Sequence, residues 1–237
     1  MNAIILAGGK GTRLKPYTTV LPKPLMPIGD YPIIEILIRQ LKYYGIRRIT
    51  IAVGHLGSLI EAYCGNGKKW GVTIQYSYEN KPLGTAGPIS LVEDFHSTAI
   101  ILNGDLLTNM DYSKMVEFHQ TNSPIVTVGM FNREETISLG VLKTDGNNNI
   151  LDYVEKPKNQ YKVSMGVYVA EPDVLSYVKK DEYFDFPDLI RLLIRKQRKV
   201  LGYECEGFWL DIGRMDDYEV ALSKYGELKS SLLPFLG

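Results

Sequence analysis

Two aspartates lie in apolar surroundings, where a charged side chain needs a partner. Asp105 follows the segment IILNG at residues 100–104, and Asp211 interrupts the segment FWLDIG at residues 208–213. Burying a carboxylate is costly unless a cation or hydrogen bonds compensate its charge. Magnesium binds one or two carboxylates together with phosphate oxygens and water, so the pair is a candidate Mg²⁺ site. An alternative stays open for each: Asp211 as the cap of a following helix, and Asp105 in a turn with Thr108.

A glycine-rich loop, GGKGTRL at residues 8–14, directly follows the first short apolar stretch. Glycines allow backbone N–H groups to approach a phosphate or a base closely. Ligands of open α/β sheets bind at the carboxyl ends of the strands, where this loop is expected. It is not a P-loop, which ends in Gly-Lys-Ser/Thr. Nor is it a dinucleotide fingerprint, because Leu14 replaces the third glycine and prolines at 16, 22, 24 and 27 prevent a regular helix.

The glycine loop and the residues around it carry only positive charges. Residues 1–29 contain Lys10, Arg13, Lys15 and Lys23 but no acidic residue, whereas the whole chain balances 27 basic against 27 acidic side chains. A group of cations on a glycine loop suits a polyphosphate; the alternative is a mobile surface loop whose lysines keep it in solution. Zero net charge gives no general attraction to nucleic acid or to an anionic membrane, so neither is an expected partner.

Glu155, Lys156 and Pro157 offer one hydrogen-bond acceptor and one cation side by side on a restricted backbone. Such a pair could hold a sugar hydroxyl and a phosphate. It could equally form a surface ion pair that contributes less than about 1 kcal/mol. The sequence alone leaves both interpretations open.

The remaining chemistry-bearing residues indicate no second site. The three histidines are scattered, and Cys64 and Cys205 lack metal-type spacing. Two reduced thiols in a cytosolic protein are expected, with a disulfide as the alternative. The N-terminal apolar run is too short for a signal-peptide core or a membrane span, which predicts a cytoplasmic protein.

Hydrophobic patterning predicts alternating strands and helices in the first half of the chain. Strands are expected over 2–6, 48–53, 72–78 and 98–102, with helices over 32–44, 56–64 and 85–95. The second half adds expected strands over 124–131, 140–143, 150–154 and 163–169, and helices over 173–178, 187–196 and 214–225. This order predicts one α/β domain, a mostly parallel sheet with helices on both faces, whose second half adds further sheet and a lid.

The combined motifs resemble the sugar-phosphate nucleotidyltransferase family. They are GGKGTRLKPYTTVLPKPLMPI, PLGTAGPI, LNGD, EKP, SMGVY and FWLDIG, which together span nearly the whole chain. The resemblance implies a Rossmann-like catalytic domain over residues 1–237, with a nucleotide half of about 1–122. It also implies an acceptor half of about 123–237, which contains a small sugar-binding β subregion. The implied reaction joins a nucleoside triphosphate to a sugar 1-phosphate with Mg²⁺ and releases pyrophosphate.

The resemblance also implies roles for individual residues. Asp105 and Asp211 would be the magnesium pair, and Arg13, Lys23 and Asp105 the catalytic group. Nucleotide contacts would come from the loop and from two later glycine segments: Leu6, Ala7, Gly8, Gly9, Gly11, Thr12, Arg13, Gly84, Thr85 and Gly104. The sugar phosphate would meet Gly140, Glu155, Lys156 and Ser164.

Within the family, PLGTAGP is most similar to mannose-1-phosphate guanylyltransferases, which favours GTP. Thymidylyltransferases usually carry a glutamine near residues 85–87. Ser164 stands where many sugar-binding members have asparagine, and serine has a shorter reach and one donor. A heptose, an amino sugar or another phosphorylated acceptor therefore stays open, as do CTP, UTP and dTTP.

Two other classes of protein are alternatives to a nucleotidyltransferase. A regulatory protein that binds nucleotide sugars without turnover is disfavoured because Arg13, Lys23, Asp105 and Asp211 are all present. A dinucleotide-dependent oxidoreductase is disfavoured by the missing helix after the glycine loop. The oligomeric state is open, with a homodimer as one alternative.

Overall fold

The computed structural model describes residues 1–234, so the last three residues of the predicted domain, 235–237, lie outside the described part. Five α-helices occur in it: α1 Ile33–Tyr43, α2 Gly57–Cys64, α3 Tyr112–Asn122, α4 Phe186–Arg195 and α5 Met215–Leu232. The strands are β1 Asn2–Ala7, β2 Pro27–Ile28, β3 Tyr31–Pro32, β4 Arg48–Val53, β5 Thr73–Tyr78, β6 Ala99–Asn103, β7 Leu106–Thr108, β8 Val126–Thr136, β9 Val141–Thr144, β10 Ile150–Val154, β11 Lys158–Ala170, β12 Val200–Glu204 and β13 Trp209–Asp211.

Seven of these strands form one sheet in the order β12-β8-β11-β6-β1-β4-β5. The pairs β6–β1, β1–β4, β4–β5 and β12–β8 are parallel. Strand β11 runs antiparallel to both of its neighbours. The predicted mostly parallel α/β sheet is therefore confirmed, with strands from both halves of the chain in one continuous sheet.

Both faces of the sheet are covered, as parallel strands require. Side chains of β1 alternate between two cores: Ala3 and Ile5 pack on one face, and Ile4 packs on the other. Helices α1, α2, α3 and α5 cover the first face, and α4 covers the second. This double layer fixes the strand ends, so the loops that follow them are held in place.

The prediction of an α-helix over 85–95 was wrong, because only Gly87–Leu91 is helical and it is a short 3₁₀ turn. A Cβ at Gly87 would come within 2.7 Å of the Glu182 carbonyl oxygen, so the segment packs closely against a distant loop. Pro88 also removes a backbone donor. The predicted helix over 173–178 is likewise a 3₁₀ turn, Pro172–Tyr177.

Sequence patterning missed six elements: α3, β2, β3, β7, β12 and β13. Helix α3 has a clear start signal, since the Asp111 carboxylate accepts from the Ser113 N–H at 2.9 Å.

The segment after the glycine loop avoids an α-helix, as the prolines predicted, and folds into short 3₁₀ turns at Thr12–Leu14, Tyr17–Thr19 and Lys23–Leu25.

A two-stranded arm extends beyond the main sheet. The ladder between β8 and β11 continues outward to the pair Thr136–Lys158, and the β9–β10 ribbon follows beyond it. A five-residue loop, 145–149, connects these last two strands, and within it the Asn148 N–H donates to the Asp145 carbonyl at 3.2 Å. Of the helices in residues 1–234, none has the length and apolar character needed to cross a lipid bilayer.

Candidate active site

The parallel strands β6, β1, β4 and β5 end along one edge of the sheet, and a cavity of about 860 Å³ opens there. The glycine loop forms one wall, and the segment after β5 forms another. Twelve residues predicted for the nucleotide and catalytic sites line this single cavity: Leu6, Ala7, Gly8, Gly9, Gly11, Thr12, Arg13, Lys23, Gly84, Thr85, Gly104 and Asp105.

Two positions of the glycine loop leave no room for a side chain in the observed arrangement. A Cβ at Gly8 would lie 1.8 Å from Oε1 of Glu79, so the carboxylate packs directly over the glycine. Gly11 adopts a left-handed backbone (φ 59°), and its carbonyl accepts from Thr18 Oγ1 at 2.7 Å. The absence of side chains leaves the loop backbone open to the cavity.

Glu79 is a site residue that sequence reasoning missed. Its side chain also approaches Gly54, where a Cβ would be 2.6 Å from Oε1. Burial raises the pKa of Glu79, against a hydrogen bond from the Leu83 N–H at 3.1 Å that lowers it. The order β1-β4-β5 could have revealed it, because neighbouring parallel strands end together and Glu79 directly follows β5.

A short ribbon positions the two aspartates. Strands β7 and β13 pair antiparallel with Asp211 opposite Leu106, and the Ile212 N–H donates to the Asp105 carbonyl at 3.1 Å. Neither proposed structural alternative holds: Arg214 is the N-cap of α5, and the Thr108 hydroxyl donates to the Phe208 carbonyl at 2.8 Å. The backbone therefore brings both carboxylates to one point.

Lys23 supplies the cation at that point. Its ammonium group donates to Asp105 Oδ2 and lies 3.9 Å from Asp211 Oδ1. Partial burial and the charge of Asp105 raise the pKa of Asp211, whereas Lys23 and Arg13 lower it. Four charged side chains from three separate parts of the chain thus act on one another at the cavity edge.

The donor set at this point fits a magnesium ion that is shared with phosphates. Asp105 Oδ1 is buried and has no hydrogen-bond partner among the described residues. No group of three or more metal-ligating side chains occurs within residues 1–234. Because magnesium commonly takes only one or two carboxylates and completes its shell with phosphate oxygens and water, Asp105 and Asp211 are sufficient protein ligands for such an ion.

A second cavity of about 230 Å³ adjoins the first and shares Thr85 and Asn103 with it. Ser164 and Asp211 line this smaller cavity together with aromatic and apolar side chains. The Trp209 indole N–H donates to the Met165 carbonyl at 3.0 Å, which fixes the ring in the wall. Asp211 lines only the smaller cavity, but its Oδ1 lies 3.9 Å from the ammonium group of Lys23, which lines the large one.

Three residues predicted for the sugar phosphate lie elsewhere. Gly140, Glu155 and Lys156 belong to the arm and do not line either described cavity. Tyr153 covers Gly140, where a Cβ would meet its hydroxyl at 2.2 Å, and the same hydroxyl donates to Glu155 Oε2 at 3.2 Å. Lys156 is exposed and has a left-handed backbone (φ 48°).

Over residues 2–227 the chain matches the nucleotidyl transferase family, and it belongs to that family. The chain is 34% identical to the UTP–glucose-1-phosphate uridylyltransferase of Synechocystis over 94% of its own length and 62% of the relative. It is 32% identical to the mannose-1-phosphate guanyltransferase of Saccharomyces cerevisiae, over 92% of its own length and 63% of the relative. The chain thus spans less than two thirds of these curated relatives.

A solved structure from Bacillus anthracis, described provisionally as a glucose-1-phosphate thymidylyltransferase in complex with sucrose, is also similar. Its TM-score is 0.76 at 28% identity, over 94% of both chains. The three relatives are named for three different bases, so overall similarity supports the family without selecting a nucleotide.

Proposed function

We propose that the protein is a magnesium-dependent nucleotidyltransferase that couples GTP to a sugar 1-phosphate, mannose 1-phosphate or a related sugar or heptose, and releases pyrophosphate. One observation carries this proposal. Asp105, Asp211 and Lys23 meet at the boundary between a large cavity walled by a glycine loop and a smaller cavity walled by Trp209. A triphosphate in the first and a sugar phosphate in the second would bring their phosphates together at these charges.

The reaction needs charge compensation and alignment more than proton transfer. A phosphate monoester has a second pKa of about 6, so the acceptor is largely ionised at neutral pH. Its oxygen attacks the α-phosphorus in line with the leaving pyrophosphate. When bound at Asp105 and Asp211, Mg²⁺ would neutralise charge on the phosphate oxygens. Arg13 stabilises the departing pyrophosphate, and Lys23 binds the α-phosphate.

Glu79 supports guanine as the base. An ionised carboxylate only accepts hydrogen bonds, and guanine offers two adjacent donors, N1–H and the exocyclic amine. Uracil and thymine offer one N–H flanked by two carbonyl oxygens, which a carboxylate repels. Adenine and cytosine place a ring acceptor beside the amine. Because Glu79 lies against Gly8 in the large cavity, GTP is the triphosphate that it matches.

The acceptor assignment rests on the smaller cavity. Its lining is mainly apolar, with Leu106, Met165 and Trp209 beside the hydroxyl of Ser164. Aromatic and aliphatic walls pack against the C–H faces of a sugar ring, while few polar groups select its hydroxyls. Gly140, Glu155 and Lys156 contact the sugar phosphate if the arm closes over this cavity. An amino sugar and other phosphorylated acceptors are alternatives to mannose 1-phosphate.

A substrate matrix tests the proposal. Five triphosphates are combined with a panel of sugar 1-phosphates in the presence of Mg²⁺, and pyrophosphate release is measured. The highest rate is expected with GTP. A clear preference for CTP, UTP, dTTP or ATP would refute the base assignment. Tight nucleotide-sugar binding without release in any combination would instead identify a non-catalytic regulator.

The proposed reaction also predicts where the protein acts and how it assembles. Its substrates, nucleoside triphosphates, belong to the cytoplasm, which is the proposed location. A homodimer is the proposed assembly, and light scattering behind a sizing column measures it directly: a mass of one chain would contradict it.

A further inference from the structure

Lys23 occupies an unusual position for a lysine that serves a phosphate. Its ammonium group contacts Asp105 Oδ2 and lies 3.9 Å from Asp211 Oδ1. Only 10% of its side chain is exposed, compared with 48% for Asp211. The lysine is therefore held between the carboxylates and not in the solvent-filled part of the large cavity.

The surroundings explain why it stays there. Lys23 begins a 3₁₀ turn, Lys23–Leu25, and the prolines on either side of it, Pro22 and Pro24, restrict its backbone. Two carboxylates held close together require a cation, because each raises the cost of charge on the other. In this structure the lysine is the cation that meets this requirement.

A divalent ion bound by Asp105 and Asp211 would lie close to the ammonium, which contacts Asp105 Oδ2 and lies 3.9 Å from Asp211 Oδ1. Two cations this close repel each other. The metal therefore enters only if the ammonium leaves, and leaving is unfavourable unless another anion receives it. The β- and α-phosphates of a triphosphate on the glycine loop are such anions, because Lys23 lines the same cavity as that loop.

We propose that Lys23 is the resident counter-ion of the Asp105–Asp211 pair and excludes free divalent metal until a triphosphate draws its ammonium away. This inference rests on the proposed magnesium-dependent function. It makes the metal–nucleotide complex, and not the free ion, the species that loads the site. Metal and nucleotide binding are then coupled through one side chain.

Binding of Mn²⁺ alone, followed by the electron paramagnetic resonance signal of the free ion, tests this directly. Lys23→Met keeps most of the unbranched side chain but removes its charge. It is expected to bind Mn²⁺ about tenfold more tightly than the wild type in the absence of nucleotide. Lys10→Met removes a charge that lines the same cavity, and it is expected to stay within about twofold of the wild type.

Two further measurements complete the test. Lys23→Arg keeps the positive charge and is expected to bind Mn²⁺ as weakly as the wild type. Adding a non-hydrolysable GTP analogue should tighten Mn²⁺ binding to the wild type far more than to Lys23→Met. The inference would be overturned if Lys23→Met without nucleotide bound Mn²⁺ no more tightly than the wild type. It would also be overturned if Lys23→Arg bound Mn²⁺ as tightly as Lys23→Met is expected to.

Asp105→Asn separates this inference from the proposed function. If Asp105→Asn abolishes Mn²⁺ binding in the presence of the GTP analogue while Lys23→Met does not tighten it, only the role of Lys23 is wrong. If Asp105→Asn binds Mn²⁺ like the wild type, the metal assignment itself fails. Circular dichroism spectra of all variants confirm that each one is folded.

Discussion

The side chains of Thr85 and Asp185 hold together two segments that are 100 residues apart. Asp185 Oδ1 accepts from the Thr85 N–H at 2.9 Å and from the Thr85 hydroxyl at 3.0 Å. The same hydroxyl accepts from the Phe186 N–H at 2.9 Å, at the start of α4. Burial would raise the pKa of Asp185, but hydrogen bonds from Tyr183 and Thr85 lower it. A residue in the cavity wall thus also caps a distant helix.

Thr85→Val should therefore lower the stability of the protein. Valine has nearly the same shape but leaves the Phe186 N–H and one Asp185 contact unsatisfied. We expect a loss of about 1–3 kcal/mol in the free energy of unfolding, measured by urea denaturation. Thr136→Val, at an exposed position of β8, is the matched control and should change stability little. An unchanged denaturation midpoint for Thr85→Val would show that the bridge contributes nothing.

Asp105→Asn and Asp211→Asn should each leave the fold intact and lower turnover by about two orders of magnitude or more. Each substitution removes one negative charge from the proposed metal ligands while keeping the shape of the side chain. Pyrophosphate release at saturating Mg²⁺ measures the loss, and Asp152→Asn, on the arm, serves as the control. Near-normal activity of either mutant would remove that aspartate from the site.

Glu79→Gln should reduce the preference for GTP over the other triphosphates. Glutamine presents a donor as well as an acceptor, so it no longer repels the carbonyl groups of uracil and thymine. The ratio of kcat/KM for GTP to that for UTP is expected to fall by about tenfold or more, in line with the loss of one charged hydrogen bond. An unchanged ratio would show that Glu79 does not contact the base.

The raised pKa of Glu79 adds a pH dependence to this prediction. Since burial favours the protonated form, the carboxylate loses its charge at a higher pH than an ordinary glutamate. As the pH falls, the preference for GTP should therefore begin to decline at a higher pH than it would with an ordinary glutamate at this position. The charged form is the less stable one in the folded protein, so Glu79→Gln should be the more stable variant at neutral pH. That stability difference should shrink as the pH falls through the raised pKa and the wild type becomes protonated.

Lys156→Ala should mainly raise the KM for the sugar phosphate, by about severalfold, because a lysine acts on a phosphate as a point charge over short distances. The KM for the triphosphate should not change. Lys158→Ala, two residues away and paired with Glu134 at 2.8 Å, is the control on the same arm. If only the triphosphate constant responds to Lys156→Ala, the arm does not serve the acceptor.

Short-range signals were sufficient for some parts of the fold and failed for others. The alternation of strands and helices predicted the parallel sheet, because each apolar run has its own local period. The segment 85–95 has a helical pattern, yet close packing of Gly87 on the Glu182 carbonyl and the Thr85–Asp185 bridge impose a different backbone. Contacts between residues about a hundred positions apart leave no mark in a local pattern.

The same distinction applies to the candidate site. The glycine loop and the two aspartates stand out in the sequence because glycine and buried charge are unusual where they occur. Glu79 lies among exposed polar residues of an ordinary loop, and only the neighbouring ends of β1, β4 and β5 bring it to Gly8. The contact of Lys23 with Asp105 is likewise a product of the tertiary fold.

The chain leaves the sheet at Ile137 and returns at Pro157, and the Ile137 N–H donates to the Pro157 carbonyl at 3.1 Å. Ile137 and Pro157 are therefore hydrogen-bonded neighbours. The number of residues between them does not affect the register of the sheet. The entropy of closing such a loop grows slowly with its length. Residues 138–156 can therefore change in length or sequence without shifting the register of β8 and β11 or moving Asp105 and Asp211.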